Sequence, residues 1–420
     1  MRYPREPGSS ALRCTSLFAS IAAGILATAH AAPVKALELV SVRDGSSAAA
    51  GGREPALSKD GRYVAFESRT GNVVPGDQPT YSDVFVRDRG TGRTERTSVA
   101  YDGTEPNCDS FGQSISTDGR YVAYMSCATN LVRGTDTTWR YHVFVRDRVN
   151  GTTSLVVAGI HPRISGSGQY IAFEGPAVSR AEPNCSIDCP DIFVIDRTTG
   201  HIDSISVVGA GVSANGPSYS PSLSWNGRFV VYLSSATNLV PNDTNGVNDV
   251  FLYDRETGLT ERVSLNTADV QANGASYGRP SVSNDGHYVA FNTYASNFFA
   301  GDDSFSNHTF VRDRWAGVTE LVSRTTAGAP IDVVSNTSPA ISANGRYVAF
   351  ESTEGDANRH NDVFLRNRVG DTTSKVSGGT NRPCQHAAIS GDGRAVAFDT
   401  AATNLDGNGT FDVYMQDRHP

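Results

Sequence analysis

The chain has 420 residues, a formal net charge of −8, 19% charged residues and 41 glycines. An acidic balance speaks against a nucleic-acid partner and against adhesion to anionic lipid, both of which need a basic face. Abundant Gly, Ser and Thr suit a loop-rich all-β chain.

Residues 1–31 read as a secretory signal peptide. Arg2, Arg5 and Arg13 precede the apolar run Leu17 to Ala27, and Ala29-His30-Ala31 supplies an A-x-A cleavage pattern. The run is too short and too Ala-rich for a good membrane span. Cys14 lies ahead of it, so it cannot be acylated at a cleavage junction. Residues 1–31 hold three Arg and one Glu, so the remainder carries −10. No later stretch reaches spanning length. An exported protein, periplasmic or secreted, is expected, with no transmembrane segment and residues 32–420 as one domain.

Leu37 to Val42 (LELVSV) looks like a fourth strand with no first three before it. Seven copies of one unit follow. The best copy runs from Ser222 to Ser264, where four short apolar runs are fenced by turn chemistry such as Asn226-Gly227 and Glu256-Thr257-Gly258. The turn glycine recurs at 61, 119, 168, 227, 286, 345 and 393, within SKDGRYVAF, STDGRYVAY, SGSGQYIAF, SWNGRFVVY, SNDGHYVAF, SANGRYVAF and SGDGRAVAF. Each copy continues to a third-strand block, DVFVRDR, HVFVRDR, DIFVIDR, DVFLYDR, HTFVRDR, DVFLRNR or DVYMQDR. Four strands per unit at this period predict an all-β, seven-bladed β-propeller of four-stranded antiparallel blades. The seventh unit stops without a fourth strand, so residues 37–42 are expected to complete it and close the ring.

The Ser-x-Asp-Gly-Arg-Tyr-Val-Ala-Phe repeat resembles that of TolB-like propellers, a WD-like repeat of bacterial exported proteins, over essentially the whole mature chain. TolB carries an α/β domain ahead of its propeller, and this chain does not, so the resemblance transfers no partner. Propeller-bearing serine peptidases add a hydrolase domain, for which there is neither room nor a Gly-x-Ser-x-Gly elbow. Oligogalacturonate lyases cluster metal-binding histidines on such a propeller. The histidines here form no matching cluster.

The Asp-Arg pairs ending the third strands (Asp88/Arg89 through Asp417/Arg418) recur once per blade, and chemistry is needed only once. They read as structural. The loops from second to third strand share a face with the blade-to-blade connections, around the channel mouth. Three of them repeat an acidic spacing: Asp243, Asn245, Asp249; Asp356, Asn358, Asp362; and Asp406, Asn408, Asp412. Oxygens so spaced could curl around Ca²⁺, which takes six to eight, or make Asx-turns. No other cofactor is implied. Tyr81, Trp139, Tyr141, Tyr219, Tyr277 and Phe305 could stack on a sugar or seat a peptide. An oxidising compartment favours disulfides. Cys108–Cys127 and Cys185–Cys189 are the expected bridges, leaving Cys384 a free thiol. The function expected is non-catalytic: a monomeric binding or scaffold propeller with a protein or carbohydrate ligand at the channel-mouth face. The rival is a polysaccharide lyase or hydrolase acting there.

Overall fold

The computed structural model describes residues 37–135, 140–176, 190–209, 212–301, 307–333, 337–353 and 360–418. The signal-peptide reading and the Cys185–Cys189 bridge lie outside them. Among the described residues are seven four-stranded sheets and one two-stranded ribbon, Val207–Val208 with Val212–Ser213, which the repeat pattern did not suggest. In blade 4 the strands Ser218–Leu223, Phe229–Ser234, Asp249–Asp254 and Leu259–Arg262 pair antiparallel in that order. The same order recurs in every blade.

First strands of consecutive blades touch one another all the way round, so they line the central channel. The apolar core is correspondingly divided. Each of seven clusters sits at one junction; Val64, Phe66 and Phe85 of blade 1, for example, pack with Ala395, Ala397, Val413 and Met415 of blade 7. A blade alone buries neither face, and the ring buries both.

The ring closes as expected. Glu38–Leu39 pairs with Asp412–Asp417, a shorter ladder than the six residues read from sequence. Ser41 continues the contact: its hydroxyl donates to Asp412 at 2.9 Å and accepts from the Val413 amide at 2.8 Å. The same bond holds inside four of the other blades. Ser98, Ser206, Ser264 and Ser377 donate to Asp83, Asp191, Asp249 and Asp362, the leading residues or near-leading residues of their third strands.

The blade junctions explain why the nonapeptide recurs. Gly227 has φ 72°, and a Cβ there would lie 2.3 Å from the ring of Tyr170 in the preceding blade. Only glycine fits both constraints. Arg255 donates to the Gly227 carbonyl at 2.8 Å, lies 4.3 Å from the Tyr170 ring centroid and pairs with Asp203 of the preceding blade at 2.6 Å. Arg89, Arg148, Arg197, Arg314, Arg368 and Arg418 each donate to the turn-glycine carbonyl of their own blade in the same way. Asp254 accepts two bonds from Arg228, at 2.8 and 2.7 Å, and one from the Glu256 amide. The arginines are rivets between blades, and the aspartates brace the turns of their own blades.

Cys108 and Cys127 are bridged, with Cα atoms 5.4 Å apart, and Cys384 is a buried free thiol. The bridge ties the entry of blade 2 to the end of its second strand, closing a loop worth about 3 kcal/mol in chain entropy.

Candidate ligand site in the central channel

Each channel-lining strand has to bend, and most do so at a bulge. The register to the second strand slips between Arg53 and Ala56, Phe111 and Ser114, Ile160 and Arg163, Tyr219 and Ser222, Tyr277 and Ser281, and Gln385 and Ala388. The bulge residue takes the left-handed conformation. Gly112 and Gly278 fill two of these places without cost, but Glu54, His161, Ser220 and His386 hold φ between 50° and 57°. Left-handed backbone at ordinary residues is strained by roughly 1–3 kcal/mol and persists where surrounding bonds over-determine it.

Those bonds come from the preceding blade. The residue six past each turn glycine reaches into the next blade and takes the amide freed at its bulge. Asp399 accepts from the Glu54 amide at 3.0 Å, Glu174 from Ser220 at 2.7 Å, and Glu351 from Ala387 at 3.1 Å. Glu67 accepts from the Gly112 amide, and the Met125 sulfur from the His161 amide at 3.5 Å. Asn292 does the converse, donating to the Thr337 carbonyl at 3.1 Å. In blade 4 the position is Leu233. One register position thus carries Glu, Met, Glu, Leu, Asn, Glu and Asp around an otherwise uniform ring.

The carboxylates gather where blades 6, 7 and 1 meet. His386 Nδ1 is 2.9 Å from Asp399 Oδ2, and its Nε2 is 3.9 Å from Glu54 Oε1. Burial pushes the Glu67 carboxyl up to about 7, with Glu54 and Asp399 adding repulsion. Burial does the same to Glu351, also to about 7, with Asp399 again adding repulsion. For His386 burial works against the charge, but the bond to Asp399 and the charges of Asp399, Glu54 and Glu351 carry it up to about 9. His386 is therefore an imidazolium at neutral pH. The counterweight within the channel is Arg163, brought down to about 9 by burial and by Arg279, which burial also lowers. Both guanidiniums feel Glu54 and Glu174, and His161 Nδ1 lies 3.0 Å from Glu174.

Some atoms here have no partner. Glu67 Oε2, Gln113 Oε1 and Asp399 Oδ1 are buried acceptors with no donor, and Arg279 Nε is a donor with no acceptor. Gln113, on the first strand of blade 2, is 3% exposed and donates to the Glu54 carbonyl; Asp399 is fully buried. Buried polar atoms left unmatched are uncommon and mark places where a ligand or water belongs.

A cleft of about 480 Å³ leads to Glu67 from the channel-mouth face. Gly51, Arg53, Thr70, Asp109, Phe111 and Phe411 wall it. Arg53 lies over the Phe411 ring at 3.8 Å, which fixes one lip. The opposite face is tied by its first hairpins. The amides of Lys59, Thr117 and Gly166 bond the carbonyls of Thr117, Gly166 and Trp225, those of Asn284 and Ala343 bond Ala343 and Gly391, and Asp392 returns to Lys59.

Of the residues read from sequence, Trp139, Phe305, Asp356 and Asn358 lie outside the described residues. Tyr81 stands half-exposed in the loop of blade 1. Tyr141 packs edge-on against Phe111, a cleft residue, with centroids 5.5 Å apart. Tyr219 and Tyr277 sit on the first strands of blades 4 and 5, Tyr277 against Tyr294 at 4.8 Å. They are not gathered into one aromatic platform.

The acidic loops turn out to hold internal partners. In blade 4, Asn245 donates to Asp249 at 2.8 Å, while Arg262 lies 3.2 Å from Asp243 and 3.6 Å from Asp249. In blade 6, Lys375 pairs with Asp362. In blade 1, Asp77, Asp83 and Glu105 come together closely enough to hold a metal ion, and Arg96 occupies their midst, 3.3 Å from Asp77 and 3.7 Å from Asp83. The corresponding residue in blade 7 is Leu39. There Asn408 donates to both Asp406 and Asp412, and burial lifts Asp412 to about 6.

Sequence reasoning missed two features. The spacing Asp-x₁₂-Arg/Lys-x-Ser, present at 83/96/98, 249/262/264 and 362/375/377, foretells the built-in cation. An Asn ahead of the first strand, at 107, 215 and 273, exchanges bonds with Thr129, Thr237 and Ser296, and Asn381 donates to Thr403, clasping the mouth loops.

The architecture is thus a seven-bladed β-propeller with a charged, one-sidedly acidic channel. Two solved structures share the fold, and a third aligns more weakly. Oligogalacturonate lyase in complex with manganese aligns with TM-score 0.57 and 12% identity over 91% of this chain and 96% of its own. A prolyl endopeptidase aligns with TM-score 0.54 and 11% identity over 91% of this chain and 51% of its own. TolB from Acinetobacter baumannii aligns with TM-score 0.46 and 14% identity over 79% of this chain and 67% of its own. No protein-family description and no curated protein matches the sequence.

Proposed function

We propose that this is an exported binding propeller that takes a protein or carbohydrate ligand at the channel-mouth face without transforming it. The observation that carries the reading is the cleft between blades 7, 1 and 2, which joins a fixed Arg53–Phe411 lip to an incompletely bonded carboxylate, Glu67, at its floor. Two aromatic faces, Phe111 and Phe411, set among charged and hydroxyl groups suit a polar ligand with an apolar part. The basic-then-apolar start of the chain supports export. No helix among the described residues is long and apolar enough to cross a membrane. Thermal-shift titration against short peptides and neutral, acidic and amino oligosaccharides tests the reading. One ligand class is expected to raise the Tm, and Arg53→Ala with Phe411→Ala is expected to weaken it at least tenfold. Release of a shortened or unsaturated sugar would establish the rival, a lyase or hydrolase; Glu67, with its raised pKa in a cleft, is the group that favours it.

Calcium has one place in this proposal, the blade 7 loop, where no basic residue replaces Leu39. Chelator is expected to lower the wild-type Tm by a few degrees, and Asp406→Ala to abolish the difference. Equal melting with chelator and with calcium returns that loop to a plain Asx-turn.

A further inference from the structure

The channel's acid side asks for hydrogen-bond donors. Asp399, Glu67 and Gln113, on the consecutive blades 7, 1 and 2, each leave one buried acceptor unmatched. Asp399 is fully buried and Gln113 is 3% exposed, so bulk water does not wash these atoms. Gln113 is uncharged and lies outside the acid cluster, and it is held against the cluster by its bond to the Glu54 carbonyl. Four carboxylates, those of Glu54, Glu67, Glu351 and Asp399, share the single imidazole of His386 on this side. Arg163 and Arg279 balance them from the part of the ring built by blades 3 and 5, where Glu174 also draws on them, and Arg53 and Arg69 stand in the walls of the cleft beside Glu67.

Three unmatched buried acceptors, with Glu67 among them at a cleft that Phe111 and Phe411 wall, are complementary to one chemistry. We propose that the acid side of the channel seats an organic cation with several N–H donors, a primary ammonium or a guanidinium, between Glu67, Asp399 and Gln113. A bare metal ion fits less well. Among the described residues the carboxylates that approach closely enough to share an ion are Asp77, Asp83 and Glu105, and this channel set is not among them. A guanidinium or alkylammonium spans wider separations and stacks its stem on aromatic walls. This deepens the binding reading above, of which the cation would be the recognised part.

The probe is 1,5-diaminopentane, with arginine methyl ester as the guanidinium counterpart and 1,5-pentanediol as the neutral isostere. Calorimetric titration of the full chain at pH 8 is expected to show saturable 1:1 binding, at least tenfold tighter for the cations than for the diol. Glu67→Gln is expected to weaken it tenfold or more, and Asp399→Asn likewise; should Asp399→Asn fail to melt cooperatively, Glu67→Gln decides alone. Equal affinity for the diol, an unaffected Glu67→Gln variant, or displacement of the diamine by micromolar Mn²⁺ or Ca²⁺ that itself requires Glu67 would each overturn the assignment. The lip variant separates the two readings. If it abolishes binding of a panel ligand while the diamine never binds wild type, the cation site falls and the binding propeller stands. If the diamine binds through Glu67 while no panel ligand depends on the lip, the lip-centred reading falls.

Discussion

Removal of residues 35–44 is expected to abolish cooperative unfolding of the monomer. The segment supplies the whole fourth strand of blade 7, and Val40 and Val42 within it are 0% and 4% exposed. Each buried valine contributes about 2 kcal/mol. Asp412 would also lose the Ser41 hydroxyl, and a buried carboxylate stripped of a donor costs about 1–3 kcal/mol more. Arg89, which bonds Glu38 across the same seam, would keep only Asp417 there. The sum approaches the entire stability of an ordinary domain. The exposed Asp412–Asp417 edge would then pair with other chains. Calorimetry with size-exclusion chromatography checks this: a truncated chain that melts like the full-length protein, as a monomer, refutes closure by this strand.

Raising the pH from 5 to 9 is expected to lower the Tm in two stages. Glu351 is 3% exposed, and its pKa rises from 4.5 to about 7 on folding. The folded state therefore holds that proton more tightly than the unfolded chain. The stability this brings is fully present below pH 4.5 and is lost as the pH passes 7. A shift of this size corresponds to about 3 kcal/mol, or about 4 °C in a chain of this length. Glu67 acts in the same window and direction. His386, raised from 6.5 to about 9, adds stability that is present below pH 6.5 and lost through pH 9. The turn aspartates act elsewhere: Asp147, held down to about 2 by Arg120, loses its contribution only in strong acid. Glu351→Gln, which can still accept the Ala387 amide, should remove part of the first stage and leave the second. A Tm that does not change between pH 5 and 7.5 in the wild type would contradict the burial argument for these carboxylates.

The blades were legible because each repeats its own turn chemistry. Asn226-Gly227 announces a hairpin, and the glycine is demanded twice, by φ and by Tyr170. The closing strand was legible for the same reason, since LELVSV matches a fourth strand and its Ser41 finds Asp412 as Ser264 finds Asp249. The channel was not legible. A bulge adds one residue to a strand without disturbing its apolar character, and the left-handed Glu54 and His386 carry no turn signature. The carboxylates Glu67, Glu351 and Asp399 end buried runs and so resemble the polar residue that commonly fences a strand. Their partners lie in the next blade, beyond the reach of any local pattern. The repeats are nearly uniform, whereas the position six past the turn glycine varies around the ring and reaches the bulges of the channel-lining strands.

The seam between residues 38–41 and 412–415 uses the same serine–aspartate bond, and Arg89 beside it the same bond to the turn-glycine carbonyl, as the uncut blades. The ring has no privileged origin: opening the chain at another junction and joining the present ends through a linker would create a circular permutant in which each blade keeps its neighbours. What remains fixed under such a rotation is the order of Glu, Met, Glu, Leu, Asn, Glu and Asp around the axis. That order is a cyclic word, and the individuality of this protein is written in it rather than in where the polypeptide starts.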